Sequence, residues 1–437
     1  MNCNNIFKLL AVTALFVAIV ACAKQSDKGE PILNTKSTRL ATILSGYELG
    51  EFIFSPDGRR VAYTAQKEGK WFVIDGDKAG KSYDHVQDLS FGPDSRDLLY
   101  TATEGGHAFV VVNGKEEVKK YQEVGKPAFS PLAHLLYFEA KLNDKWLMTV
   151  DGKESSSFDM SYAPPLFNHD EQQIAYVEQN SGRKTSTMIY GAANMSGFTK
   201  GKERDGISLI TASPDRKRVA YAANTKGKAL LVNADFTGNR IEEKEGQPLD
   251  VIDQITFSPD SKRLVYIAKS GGRYYLVEGD ILTVCEGSIH VPPVFSPNGA
   301  RIAYVVLVNG KMQAVVGGKK GRFYDEIGLP TFSKDGSQLA YPARRGKDWF
   351  LVVNEKEGAL FDMAVSPLFS PDGSRVICRV RQAGKRFVIV ADATAKTVVK
   401  HPEYDMVWQP VFTPDGKAVA YGVKSGQELW WNVEALQ

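Results

Sequence analysis

Histidine and cysteine are scarce in this chain, six and four among 437 residues, and no two histidines stand at the spacing of a metal pair. No G-x-S-x-G run occurs, so the chain has no nucleophile elbow of the serine-hydrolase kind. A P-loop is absent, as is a nucleotide-binding G-x-G-x-x-G in a strand-to-helix setting. Charge of one sign is lacking too. The 54 basic residues stand against 51 acidic ones, and a net charge of +3 excludes a surface given over to nucleic acid. The one long apolar run, Leu9 to Ala21, is interrupted by Thr13 and falls short of the roughly 20 residues that span a bilayer.

That run follows Lys8 and reads as an export signal over residues 1–21. It ends in Ile19-Val20-Ala21-Cys22, which resembles the lipobox of bacterial lipoproteins. The resemblance implies that Cys22 is lipidated and becomes the mature N-terminus, a membrane anchor. Ala23 after it implies the outer membrane of a Gram-negative cell, on its periplasmic face. Residues 22–37 are mostly polar, carry Gly29 and Pro31, and read as a flexible tether to a globular part over 38–437. Cys3 leaves with the signal. Cys285 and Cys378 lie about three repeats apart, too far for a disulfide, and are expected as buried free thiols.

The globular part repeats itself. Phe54-Ser55-Pro56-Asp57-Gly58 has counterparts beginning at Phe91, Phe129, Phe167, Ala212, Phe257, Phe295, Phe332, Phe369 and Phe412, ten copies spaced 37 to 45 residues apart. In each, Ser opens a turn, Pro presets φ, Asp suits the third place and Gly tolerates a left-handed exit. A short strand ending in an aromatic follows, as in Val61-Ala62-Tyr63 or Ile302-Ala303-Tyr304. Next come a basic, glycine-containing turn, an apolar strand such as Trp71-Phe72-Val73-Ile74, and a fourth strand ending in an aromatic–acid pair. Those pairs are Tyr83-Asp84, Phe158-Asp159, Tyr324-Asp325, Phe361-Asp362 and Tyr404-Asp405. Four strands in about 40 residues is the signature of a β-propeller blade.

These motifs resemble the TolB-like, or WD-like, periplasmic propeller repeat, and the resemblance runs from Thr38 to the C-terminus. It implies an all-β propeller and is silent on function. A lyase of this repeat type would need histidines clustered around a metal, and His85, His290 and His401, placed near fourth strands, fall in distant repeats. The last copy stops after its third strand, Leu429-Trp430-Trp431, while Arg39 to Leu44 precede the first copy as an orphan strand. Pairing the two would close the ring and remove exposed edges. A single ten-bladed ring is therefore expected, with two five-bladed rings as the alternative. The stretched spacing between Phe167 and Phe257 is where such a division would fall.

Two functional readings follow. The first is a non-enzymatic, lipid-anchored envelope scaffold, a monomer without metal or cofactor, that binds an envelope protein or an anionic cell-wall polymer. Its candidate binding residues are the basic turns between second and third strands: Lys70, Lys145, Arg183, Lys184, Arg273, Arg344, Arg345, Lys347, Lys385 and Arg386. The second is an envelope enzyme, or a small-molecule or glycan sensor, with its site in the central channel. The aromatic–acid pairs recur at equivalent places and are expected to serve the fold.

Overall fold

The computed structural model describes residues 37–160, 163–237, 241–413 and 415–436. Every regular element among them is a strand. The strands form ten antiparallel sheets that follow one another along the chain as the ten blades of a single ring. Blade 1 shows the plan: Glu48–Phe54, Val61–Lys67, Lys70–Asp75 and Lys78–Tyr83, each paired with the next. First strands of successive blades touch, which places them on the inner wall. In blades 3, 8 and 10 the first strand is broken in two, as at Glu123–Val124 and Ala128–Phe129.

Alternation decides what is buried. The aromatic that ends the Val-Ala-Tyr run lies inside in most blades, so that Tyr63, Tyr100, Tyr221, Tyr341 and Tyr421 are all within the core. Each joint between blades is then a layer of apolar side chains from both sheets. Ala62, Val73 and Tyr83 of blade 1 meet Val86, Tyr100 and Phe109 of blade 2. The two cysteines fit this scheme. Cys378 replaces the second-strand aromatic and Cys285 the aromatic that ends a fourth strand; both are buried and free. Burial pushes the Cys378 thiol up to about 12, so it is packing material and not a nucleophile.

Closure runs through the orphan strand. Thr38–Thr42 pairs antiparallel with Glu428–Ala435, with Ala41 opposite Leu429 and Thr38 opposite Trp431, and so serves as the fourth strand of blade 10. Blade 10 then packs on blade 1. Phe54 sits 4.9 Å from Trp408 and 5.9 Å from Trp431, ring centre to ring centre. Gly58 is needed at this joint, because its φ is +70° and a Cβ there would lie 2.1 Å from the Trp431 ring. Leu44 N–H donates to the Tyr63 hydroxyl and Thr42 N–H to Asp77, which ties the closing strand to blade 1 as well.

The two-ring alternative is not realised. A division after blade 5 would require blade 5 to meet blade 1. Instead Ala222 and Ala229 of blade 5 share a core with Ile252, Tyr266 and Val277 of blade 6. The longer spacings are taken up around outer strands, by segments such as 201–205. The signal, the tether up to Lys36 and Cys22 within it lie outside the described residues.

Ala41 is fully buried between blades 10 and 1. Ala41→Glu places an unpaired carboxylate there and is expected to cost about 3 kcal/mol of unfolding free energy, seen as a lower midpoint in urea. Thr42→Gln, on the exposed side of the same strand, should stay within about 0.5 kcal/mol.

Candidate functional site

The basic turns and the aromatic–acid pairs lie on one face of the ring, and the structure brings them together. The Asp that ends a fourth strand takes a Lys from its own blade on one oxygen and a backbone N–H from the next blade on the other. Asp84 accepts from Lys70 at 2.6 Å and from Gly105 N–H, in the second-to-third turn of blade 2, at 2.8 Å. Asp250 repeats this with Lys228 and Gly271, and Asp405 with Lys385 and Gly426. Asp159 pairs with Lys145 and accepts from Ser181 N–H at 2.7 Å, while Asp325 pairs with Lys311 and accepts from Gly346 N–H at 2.6 Å. The lysine and then the N–H hold these carboxyls below the usual range. The pairs are latches between blades.

The expected binding residues therefore divide. Lys70, Lys145 and Lys385 are latch members. Arg344 pairs with Glu326, Arg345 with Glu357 at 2.7 Å, and Arg183 approaches Glu203 at 3.6 Å. Arg386 donates to the Asp405 carbonyl. Lys184, Arg273 and Lys347 are exposed and, among the described residues, hold no ion pair. They belong to blades 4, 6 and 8, every second blade along one arc.

The opposite face carries the Ser-Pro-Asp turns. Ser55 donates to Asp57, which in turn accepts from Arg59 N–H. Asp335 and Asp372, held first by Ser333 and Ser370, are pulled down to about 2. A further residue of these turns escaped the sequence reading. The arginine six places after the Phe reaches across to the next blade: Arg263 stacks over Phe295 at 5.1 Å and donates to the Gly299 carbonyl at 2.5 Å. Arg60, Arg218 and Arg301 do likewise. Its signal was a basic residue recurring at one fixed offset.

Where that arginine is missing, other chemistry fills the joint. Asp97 stands in its place in blade 2 and lies 2.6 Å from His134 Nε2, whose ring stacks on Phe129 at 3.9 Å. Asp94, Asp97 and His134 bring ligand atoms within 4.8 Å of one another. Both Asp97 oxygens are already engaged, by His134 and by Asn113 at 2.5 Å, so the trio reads as a joint. Glu171 is buried between blades 3, 4 and 5. It accepts from Leu132 N–H at 2.9 Å, Ala133 N–H at 2.8 Å and Arg216 at 2.7 Å. Burial pushes its carboxyl up, but the hydrogen bonds outweigh burial and leave it below its ordinary value.

Two surfaces depart from the repeat. One is a polar cleft of about 380 Å³ where blade 3 meets blade 4, lined by Asp159, Glu178, Asn180, Arg183, Lys200 and Glu203. Its charges are matched within it, Lys200 to Glu178 at 3.0 Å and Arg183 to Glu203. The other is the inner wall. In blades 2, 5, 6 and 9 the first strand bulges three residues before the turn motif begins, and Asp88, Leu209, Gln254 and Ser366 occupy that place with φ between +55° and +58°. Unlike the latches, these side chains share no chemistry. Burial pushes the Asp88 carboxyl up against the pull of Lys126 and His85. His85 opens the first strand of blade 2, two residues after a fourth strand ends, His290 lies in the first strand of blade 7, and His401 directly follows the fourth strand of blade 9, buried against Glu434.

No family model matches the chain, and no curated protein does. Many solved structures are similar to it, among them the following three at low identity. TolB from Acinetobacter baumannii is 13% identical, over 71% of this chain and 79% of that one, with a TM-score of 0.30. The Dos1 propeller is 10% identical over 91% and 94%, at 0.39. Dipeptidyl peptidase 4 from Porphyromonas gingivalis is 12% identical over 85% and 64%, at 0.44.

Glu171→Gln leaves the half-buried Arg216 without its counter-charge and weakens the hydrogen bonds from Leu132 and Ala133, and is expected to cost about 2 kcal/mol at pH 7. The folded carboxyl titrates below its unfolded value, so its contribution is complete above about pH 5 and fades as pH falls through the lower folded value. Urea midpoints of the wild type and this variant should therefore converge in acid.

Proposed function

We propose that the chain is a non-enzymatic scaffold of the bacterial cell envelope, anchored by lipid on Cys22 and holding an anionic cell-wall polymer or an envelope protein. The observation that carries this reading is the division of charge on the latch face. Repeat-consensus lysines and aspartates are engaged in joining blades, which makes a stiff ring. Of the expected set Lys184, Arg273 and Lys347 remain over, in blades 4, 6 and 8, and exposed Lys226 stands in the corresponding turn of blade 5 between them. An array of separate cations along an arc suits an extended polyanion, whose charges recur, better than a compact ligand. The cleft of blades 3 and 4 opens beside the first of them, Arg183 lining it next to Lys184.

A second reading, a small-molecule or glycan sensor, is favoured by one observation. The inner wall of blades 1 to 3 presents Glu51, Asp88 and Lys126 at equivalent places, adjacent and chemically different. That is the asymmetry a site needs and a repeat does not supply.

The anchor is tested by metabolic labelling with a tritiated fatty acid: the wild type should carry label and sediment with membranes, and Cys22→Ser should lose both. The array is tested on isolated cell walls rich in anionic polymer. The triple variant K184E/R273E/K347E should lose cosedimentation while keeping the wild-type unfolding curve, and retention at wild-type level would remove the polymer reading.

A further inference from the structure

Closing the ring removes the edge between first and last blades, but the outer edge of every blade stays open. An open edge offers N–H and C=O groups to any extended chain, and proteins blunt it with charged residues. The outermost strands here follow that rule with one exception. Lys78–Tyr83 carries two lysines, Glu243–Glu245 is charged throughout, and Lys115–Glu116, Lys153–Glu154, Ser196–Lys200, Thr397–Lys400 and the closing Thr38–Thr42 each hold a charge. Blades 7 and 8 expose Phe323 and Leu360, but their strands are guarded by Lys319, Lys320 and Arg322 and by Lys356 and Glu357. The outermost strand of blade 6, Ile281–Cys285, is Ile-Leu-Thr-Val-Cys and alone among the described ones has no charge.

Its exposure and geometry suit pairing. Ile281 is 70% exposed and Val284 54%. Glu278 and Ile281 close a two-residue turn at Gly279-Asp280, so they form a hydrogen-bonded pair, and alternation then turns the N–H and C=O of Leu282 and Val284 outward. The strand is therefore an uncharged, β-branched edge with two outward-facing backbone units.

Charge selects the occupant. Asp280 precedes the strand and Glu286 follows it; Asp280 has no ion pair among the described residues, and Glu286 meets only Lys320, on an exposed surface. If two copies paired here antiparallel about Thr283, Leu282 would face Val284 and Asp280 of each would face Glu286 of the other. Like charges would then oppose at both ends. A foreign strand with basic ends meets attraction at the same two places. We propose that the outer edge of blade 6 takes up an extended segment of a partner protein as a fifth strand, with a short β-branched or apolar centre flanked on both sides by Lys or Arg. This site does not depend on the anchor, and of the latch-face cations only Arg273, whose neighbour Tyr274 pairs with Cys285, lies beside it.

The test is selection of a random dodecapeptide phage library on the full solubilised chain. Recovered peptides should alternate β-branched or apolar with other residues between basic ends. When bound as synthetic peptides, they should slow exchange of the Leu282 and Val284 amides by about tenfold or more. Ile281→Lys and Val284→Lys, both at exposed places, should each weaken binding by about tenfold with unfolding midpoints unchanged. A library that yields no binder, winners without basic ends, protection elsewhere, or binding indifferent to both substitutions overturns the proposal. So does a dimer by light scattering that either substitution dissociates, which would assign the edge to a second copy. Loss of polymer binding in K184E/K347E, both in other blades, leaves this result untouched.

Discussion

The ring depends on one pairing between residues almost the whole chain apart, Thr38–Thr42 on Glu428–Ala435. Every other joint forms between neighbours in sequence, where few residues need to be brought together. Closing a loop of nearly 400 residues from an unformed chain costs on the order of 5 kcal/mol in entropy. Stacked blades bring the ends together beforehand and remove most of that cost, so closure and stacking support each other. The chain runs on from the closing strand into blade 1, so only its seam with Glu428–Ala435 lacks a covalent link, and the joint around it is dense in aromatic contact: Phe54, Trp408 and Trp431 crowd around Gly58 and Gly422, where no side chain fits.

Between that joint and the rest of the ring, the two faces are stitched by different chemistry. On one, each aspartate latch combines an exposed Lys with a backbone N–H. An exposed ion pair adds little because water and salt screen it, so the fixed part of the latch is the N–H bond to the next blade's turn. On the other face, arginines lie over the neighbouring Phe and donate to turn carbonyls, which adds packing to hydrogen bonding. Glu171 and Arg216 are of another kind. They pair a buried carboxylate with a half-buried guanidinium, so that losing the arginine strands a charge out of water, and they hold three blades where the turn consensus has lapsed.

Much of this was legible in the sequence because a repeat writes the same residue at the same offset ten times. The Phe-Ser-Pro-Asp-Gly turns gave the blades, and the unfinished tenth copy with its orphan Arg39 to Leu44 gave the closure. The latches were half visible. Lys70 and Asp84 are 14 residues apart and Asp84 and Gly105 are 21 apart, and those offsets recur, yet reading the basic turns alone missed their acidic partners. Spacing misled at blades 4 and 5, since it counts residues without saying where they go, and the additions went outward around fourth strands, not between rings. The inner wall was illegible, because bulge residues such as Asp88 and Leu209 follow no consensus and are placed by backbone register alone.

A repeat that satisfies its own polar groups leaves little to offer a partner. Latches, turns and clasps use up the side chains that recur, and a surface composed only of them would be ten times alike and inert. Recognition then falls to positions where the consensus is broken without a compensating joint. Asp97 with His134, and Glu171 with Arg216, are breaks that the fold repairs. Lys184, Arg273 and Lys347, the cleft beside Arg183, the inner-wall bulges of blades 1 to 3 and the uncharged edge of blade 6 are breaks that it does not. Keeping an uncharged edge exposed carries an aggregation cost that a single Lys would remove, and the nine other outermost strands described have made that substitution or an equivalent one. The exception is therefore best understood as an edge that is covered when the protein is at work.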